Sequence, residues 1–196
     1  ANLRILVIGA VGELKGADTL EATAIGAAQH ESPLEFHLVG YAHRALKTQP
    51  HASLTIHGAY QDEDLPSLLR RLKPDVVWFP AQWPETYSYT LSACLQAGVP
   101  IVAPDIGAFP ERLQYRHWTW LMPWKTSAHQ WRLFFTDIRT QHFLTGKGPV
   151  RTPCYSAAMA DAKIGSWSYE KDYLRKDPPS PREPTPTPVE DRAETP

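Results

Sequence analysis

Two segments of the chain carry residue types, at usable spacing, for chemistry on a phosphorylated or polyhydroxylated ligand. The first is Gly9-Ala10-Val11-Gly12-Glu13-Leu14-Lys15-Gly16. Glycines let backbone amides approach a phosphate, the N-terminus of a following helix offers free N–H groups, and Lys15 adds a point charge. The spacing is neither the Gly-x-Gly-x-x-Gly of a dinucleotide turn nor the Gly-Lys-Ser/Thr ending of a P-loop. Taken alone, a tight turn with a solvated lysine is the plainer reading. The second segment runs from Trp83 to Pro100 and sets Glu85, Thr86, Tyr87, Ser88 and Ser92 at an expected helix start beside a strand end. A carboxylate there can accept hydrogen bonds from adjacent sugar hydroxyls, or it can simply complement the helix dipole.

Other candidates have plainer explanations. Asp62-Glu63-Asp64 has the spacing of an Asp-x-Asp metal site, but at a helix start Asp62 reads as an N-cap and its neighbours as dipole partners. His37, His43, His51, His57, His117 and His129 show no metal-ligand spacing, so no metal is expected. His43 follows a strand end by a few residues, as either a ligand contact or a solvated loop residue. Trp118, Trp120, Trp124 and Trp131 are most simply core, with an interface role as the alternative. Cys94 lies in a helix-like run and reads as a small core residue.

The elements that must position these residues alternate. Arg4 to Ile8, Glu35 to Val39, Leu54 to His57, Asp75 to Phe79 and Pro100 to Ala103 are short apolar runs of the kind that form buried parallel strands. Helices are expected over Asp18 to Gln29, Asp62 to Leu72, Glu85 to Gln96 and Phe109 to Leu113, with a longer one capped by Ser127. Repeated βα units predict a doubly wound parallel sheet with helices on both faces, a Rossmann-like α/β fold. Such sheets bind ligands at the carboxyl ends of their strands. The loops at Ala10 to Gly16, Gly58 to Tyr60, Pro80 to Glu85 and Pro104 to Phe109 should gather there.

A length of 196 residues suits one domain with a real core, and the formal charge of −1 gives no electrostatic footprint for nucleic acid. No apolar run approaches the roughly 20 residues that span a bilayer. Two cysteines make no disulfide framework, so a reducing, cytoplasmic compartment is expected. The abrupt start at Ala1 suggests a piece of a longer protein. Seven of the 19 prolines fall in the last 20 residues, so the expected organisation is an α/β domain over 1–176 and a disordered, proline-rich tail over 177–196.

From about Arg4 to Leu113 the sequence resembles the C-terminal, sugar-donor-binding domain of GT-B glycosyltransferases of the large retaining family 4. Val11-Gly12-Glu13-Leu14-Lys15-Gly16 resembles the family's phosphate loop. Pro80 to Pro100 resembles its Pro-Ser-x-x-x-Glu-x-Phe-Gly pattern, the helix that follows, and Ala-x-Gly-x-Pro. Asp105-Ile106-Gly107-Ala108-Phe109-Pro110-Glu111 resembles the next segment, Asp-x-Gly-Gly-x-x-Glu. The resemblance implies a nucleoside-diphosphate sugar as donor substrate, no metal or other cofactor, and retention at the anomeric carbon. It implies that Lys15 contacts the diphosphate and Glu85 the sugar hydroxyls, as the catalytic pair. The backbone of Thr86, Tyr87 and Ser88 would face sugar and phosphates, Gly12 would belong to the phosphate loop, and Gly58, Ala59 and Tyr60 would lie against the base.

The partners implied are an acceptor glycan or lipid-linked glycan and a second Rossmann-like domain, without which this chain alone would be inactive. Two positions depart from the family pattern. Ala10 stands where an arginine is usual, and Ala93 replaces the second glutamate of Glu-x7-Glu, with Ser92 or a water as a substitute ribose contact. These departures keep a non-catalytic docking module open as the alternative. A sugar-nucleotide epimerase of the same fold is also left open, because its acid and base would come from both halves.

Overall fold

A computed structural model of the chain describes residues 1–146, 148–149 and 151. The expected boundary at 176/177 and the proline-rich tail lie outside the described residues. Six strands form one parallel sheet: β1 (Leu3–Val11), β2 (Leu34–Ala42), β3 (Leu54–Gly58), β4 (Val76–Trp78), β5 (Ile101–Pro104) and β6 (Thr119–Met122), in the order β3-β2-β1-β4-β5-β6. β1 is central, and its apolar run is continuous because both faces are covered. Leu3, Ile5 and Val7 point into one core, and Leu6 and Ile8 into the other.

The first core lies beneath α1 (Ala17–Gln29) and α5 (Ala128–Ile138). At its centre the rings of Trp78, Trp131 and Phe135 pack with centroids 5.1 to 5.8 Å apart. The second core lies beneath α2 (Leu65–Leu72), α3 (Tyr89–Ala97) and α4 (Phe109–Leu113), with Leu69, Leu91, Cys94, Leu95 and Phe109 buried in it. Burial pushes the Cys94 thiol up to about 12, so it is an inert core group. The end signals of two helices work as read. Gly98 closes α3 in the left-handed region at φ 67°. Ser127 and Gln130 form a reciprocal capping box at the start of α5.

Several expectations change. Asp62 caps nothing with its side chain: Asp62–Asp64 is a single 3-10 turn, and α2 begins after it with Pro66 in its first turn. The strand β6 extends the sheet where the tryptophan-rich run gave no clear period. Only Trp131 of the four tryptophans is fully core. Trp118 and Trp120 are half-buried and meet the ring of His142, whereas Trp124 is exposed.

On the α2 side of the sheet, His37 and His57 stack with ring centroids 5.2 Å apart, and His37 Nδ1 lies 3.0 Å from His57 Nε2. Burial holds both rings below the usual histidine range.

Candidate functional site

The chain winds outward from β1 through β2 and β3 on one side, and through β4, β5 and β6 on the other. The crevice between the carboxyl ends of β1 and β4 is therefore the switch point where such sheets take ligands. A cavity opens there, lined by Gly9, Val11, Lys15, Pro80, Glu85 and Ser88.

The loop between β1 and α1 turns on Gly12, whose carbonyl accepts from the amides of Lys15 (3.2 Å) and Ala17 (3.1 Å). This fixes the backbone of Lys15 while its side chain stays 59% exposed. Gly16 then adopts φ 87°, and a Cβ there would stand 2.0 Å from the Pro80 carbonyl oxygen. Only glycine lets this loop press against the end of β4. The amide of Gln82 donates to the Leu14 carbonyl at 2.8 Å and joins the two loops directly.

Glu85 is not in a helix. Ser88 caps α3, its Oγ accepting from the amide of Leu91 at 3.4 Å, so the helix begins at Tyr89 and Glu85 lies in the preceding loop. The expected helix start at Glu85, and with it the dipole reading of its carboxylate, gives way for a physical reason. The Glu85 carbonyl is committed to the amide of Ala108 at 2.9 Å. Gly107, at φ 60°, makes that approach possible, since a Cβ on it would meet the Glu85 carbonyl oxygen at 2.6 Å. The Asp105 to Phe109 segment thus holds Glu85 from behind and turns its carboxylate toward the crevice, where Oε1 stands 3.9 Å from Lys15 Nζ. A half-exposed pair of this kind contributes about 0–1 kcal/mol, so a ligand that offers each partner something better can separate it cheaply.

Thr86, Tyr87 and Tyr89 are exposed beside the cleft, and Ser88 is buried as the cap. Ser92 is engaged locally: its Oγ accepts from Arg112 Nη2 at 2.7 Å and lies 3.0 Å from the Tyr87 hydroxyl. Ala93 packs half-buried against the second core, as does Tyr60. Burial, with help from Asp62, holds the Tyr60 phenol above its usual range. Gly58 and Ala59 sit where β3 ends. Among the described residues, no hydrogen bond or ion pair ties Gly58, Ala59 or Tyr60 to Lys15 or Glu85. The structure therefore joins the loops at Gly12–Gly16, Pro80–Ser88 and Asp105–Phe109 tightly and leaves the β3 turn separate.

Beside Ala10 a second, mainly apolar recess of about 450 Å³ is lined by Leu14, Lys15, Tyr41 and His43. His43 stands at its edge, with its amide donating to Val11 at 3.2 Å. No group of three or more metal-ligating side chains occurs among the described residues. Sequence reasoning missed Arg112; a basic residue one place after Glu111 carried no motif to mark it.

A family model described as Glycosyl transferases group 1 matches residues 2–130. No curated protein sequence matches. In fold, the chain is similar to HepE of Anabaena, solved with UDP and glucose (TM-score 0.59, 16% identity, covering 82% of this chain and 44% of that one). It is also similar to the C-terminal domain of the glycosyl transferase group 1 protein LpcC of Francisella tularensis (TM-score 0.59, 16% identity, 82% and 86% covered). A third likeness is to the pneumococcal O-GlcNAc transferase GtfA, solved with UDP and GlcNAc (TM-score 0.54, 13% identity, 82% and 32% covered). This chain thus spans less than half the length of HepE. The shared architecture is the Rossmann-like α/β half of a GT-B fold.

Proposed function

We infer the activity from the family to which this chain belongs, the glycosyl transferases group 1. It holds a nucleoside-diphosphate sugar in the crevice between β1 and β4 for transfer to an acceptor glycan or lipid-linked glycan in the cytoplasm. The observation that carries this reading is the convergence of Lys15 and Glu85, from separate loops, to 3.9 Å over that crevice. A cation and a carboxylate so placed suit a ligand with a diphosphate next to a polyol. HepE and GtfA, solved with UDP and a sugar, support the same ligand class.

The chemical work falls on the leaving group. Lys15 neutralises charge as the diphosphate departs, and the backbone amides of Gly12 to Leu14 and Thr86 to Ser88 add fixed dipoles that need no reorganisation. Glu85 orients the sugar through its hydroxyls. Transfer proceeds with retention and without a metal or other cofactor. A second Rossmann-like domain supplies the acceptor side, so the chain by itself binds the sugar donor and transfers nothing. The base lies against Gly58, Ala59 and Tyr60.

One observation favours a second reading. Ala10 and Ala93 remove a phosphate contact and a ribose contact, and the Ser92 hydroxyl that could stand in is already engaged by Arg112 and Tyr87. On that reading the domain is a non-catalytic docking module. Calorimetric titration with UDP-, GDP-, ADP- and dTDP-sugars separates the two. Weak binding of one of them without turnover is expected. Transfer by this chain alone would overturn the half-site reading, and silence toward all four would select the docking module.

A further inference from the structure

We propose that Arg112 is a positioning residue for this site, setting the sugar-donor side through the Glu85–Ser88 turn; the inference rests on the donor-binding reading above.

The turn carries the carboxylate and backbone amides that would face the sugar and its phosphates, yet it belongs to no helix or strand. It is held instead from α4. Ala108 precedes that helix and donates its amide to the Glu85 carbonyl at 2.9 Å. Arg112 lies one helical turn further on the same face, with its own amide on the Ala108 carbonyl at 3.0 Å. Its Nη1 donates to the Ser88 carbonyl at 2.9 Å and its Nη2 to Ser92 Oγ at 2.7 Å. The face of the guanidinium covers the Tyr87 ring at 4.4 Å. Tyr87 closes the circuit, its hydroxyl 3.0 Å from Ser92 Oγ. One turn of α4 therefore grips both ends of the Glu85–Ser88 turn, through a backbone amide at one end and a planar fork at the other.

Only arginine can do this. Two parallel hydrogen bonds and a stacked ring need the flat five-donor guanidinium, and a lysine ammonium at the same place could satisfy one of the three contacts. Without the fork, Tyr87, 46% exposed, loses the cation over its ring and the partner that fixes Ser92. The Ser88 end of the turn loosens while the Glu85 end stays bonded. The cost falls on sugar and phosphate binding and not on the base, which the resemblance places at the β3 turn, outside the contacts Arg112 makes with Ser88, Ser92 and Tyr87.

The test uses the full chain with Arg112→Met, Arg112→Lys and, as a milder variant that keeps the arginine, Ser92→Ala. Binding of UDP-glucose, UDP and uridine is measured by calorimetry, fold integrity by thermal unfolding, and the Tyr87 ring by NMR of carbon-labelled tyrosine assigned with Tyr87→Phe. Arg112→Met should weaken UDP-glucose and UDP binding by roughly tenfold or more and leave uridine unchanged. Arg112→Lys should not rescue it, Ser92→Ala should show a smaller loss, and the Tyr87 signals should shift and average in both arginine variants. If wild type binds UDP-glucose and Arg112→Met or Arg112→Lys binds it equally, the positioning role is overturned and the donor-binding reading stands. If wild type binds none of the three, whichever sugar conjugate it binds among the GDP, ADP and dTDP forms replaces UDP-glucose in the series, with its own diphosphate and nucleoside. Silence toward all four makes that reading fail, and the ring signals then decide alone. Tyr87 resonances unchanged in Arg112→Met, or Ser92→Ala in its place should the methionine variant not fold, would overturn the clamp.

Discussion

Lys15 Nζ and Glu85 Oε1 face each other 3.9 Å apart across the crevice, each delivered by a different strand-end loop. If they share one ligand, their losses must be separable. Lys15→Ala should weaken nucleoside diphosphate far more than free nucleoside, by about 1.5–3 kcal/mol for a lost charged hydrogen bond. Glu85→Gln should weaken the sugar conjugate more than the bare diphosphate. Calorimetry with nucleoside, diphosphate and sugar conjugate reads both; unchanged affinities in folded variants would make the pair merely structural.

Ala93 lies one position past the Ser92 that Arg112 holds, on the part of α3 that packs against the second core with Tyr60. Ala93→Glu should return a carboxylate for the ribose hydroxyls and tighten every nucleotide by about 1 kcal/mol. Titration of UDP, GDP and ADP against this variant is the check, and an identical affinity for all three in variant and wild type would place the ribose elsewhere.

Gly16 and Gly12 share a loop but not a constraint. Gly16→Ala puts a Cβ against the Pro80 carbonyl in a left-handed conformation, whereas Gly12 has open space around it. Gly16→Ala should cost about 2 kcal/mol or more of stability, Gly12→Ala far less. Urea unfolding gives both numbers, and equal costs would contradict the packing of this loop on β4.

His37 and His57 make stability fall with acid. Burial holds both below the histidine reference of 6.5, so the unfolded chain takes up protons first. The stability they contribute is complete above about pH 6.5 and is lost as pH falls through their lower folded values. Arg4 and Arg71 also disfavour charge here, while Glu35, 3.7 Å from His37 Nε2, partly offsets them. The unfolding midpoint should drop between about pH 7.5 and pH 5, and a His37→Gln/His57→Gln double variant should flatten that slope. An unaltered slope would assign the acid sensitivity to other groups.

Most of the fold was legible because buried parallel strands leave continuous apolar runs, and Gly98, Ser127 and Lys73-Pro74 mark helix ends with local chemistry. The short edge strand β6 was not, since its half-exposed Trp120 and exposed Leu121 give neither an alternating nor a continuous pattern. Within the site, Lys15 and Glu85 were legible by type and spacing. The helix start was misplaced by four residues because Glu85 satisfies its carbonyl with Ala108, 23 positions away, a long-range bond that no local propensity encodes. Arg112 stayed hidden for the same reason: its partners Ser88 and Ser92 are remote in sequence.

The backbone bonds from Gln82 to Leu14 and from Ala108 to Glu85 stitch three loops into one seam. Length changes and side-chain changes in this region therefore have different reach. Inserting or deleting a residue in any of the three loops breaks register with the other two and spoils the crevice as a whole. Replacing Trp83 or Thr86, whose exposed side chains stand outside the seam, should alter the surface beside the crevice without disturbing the frame beneath it. Divergence of ligand preference among chains built this way should accumulate as substitutions at those outward positions, with loop lengths kept constant.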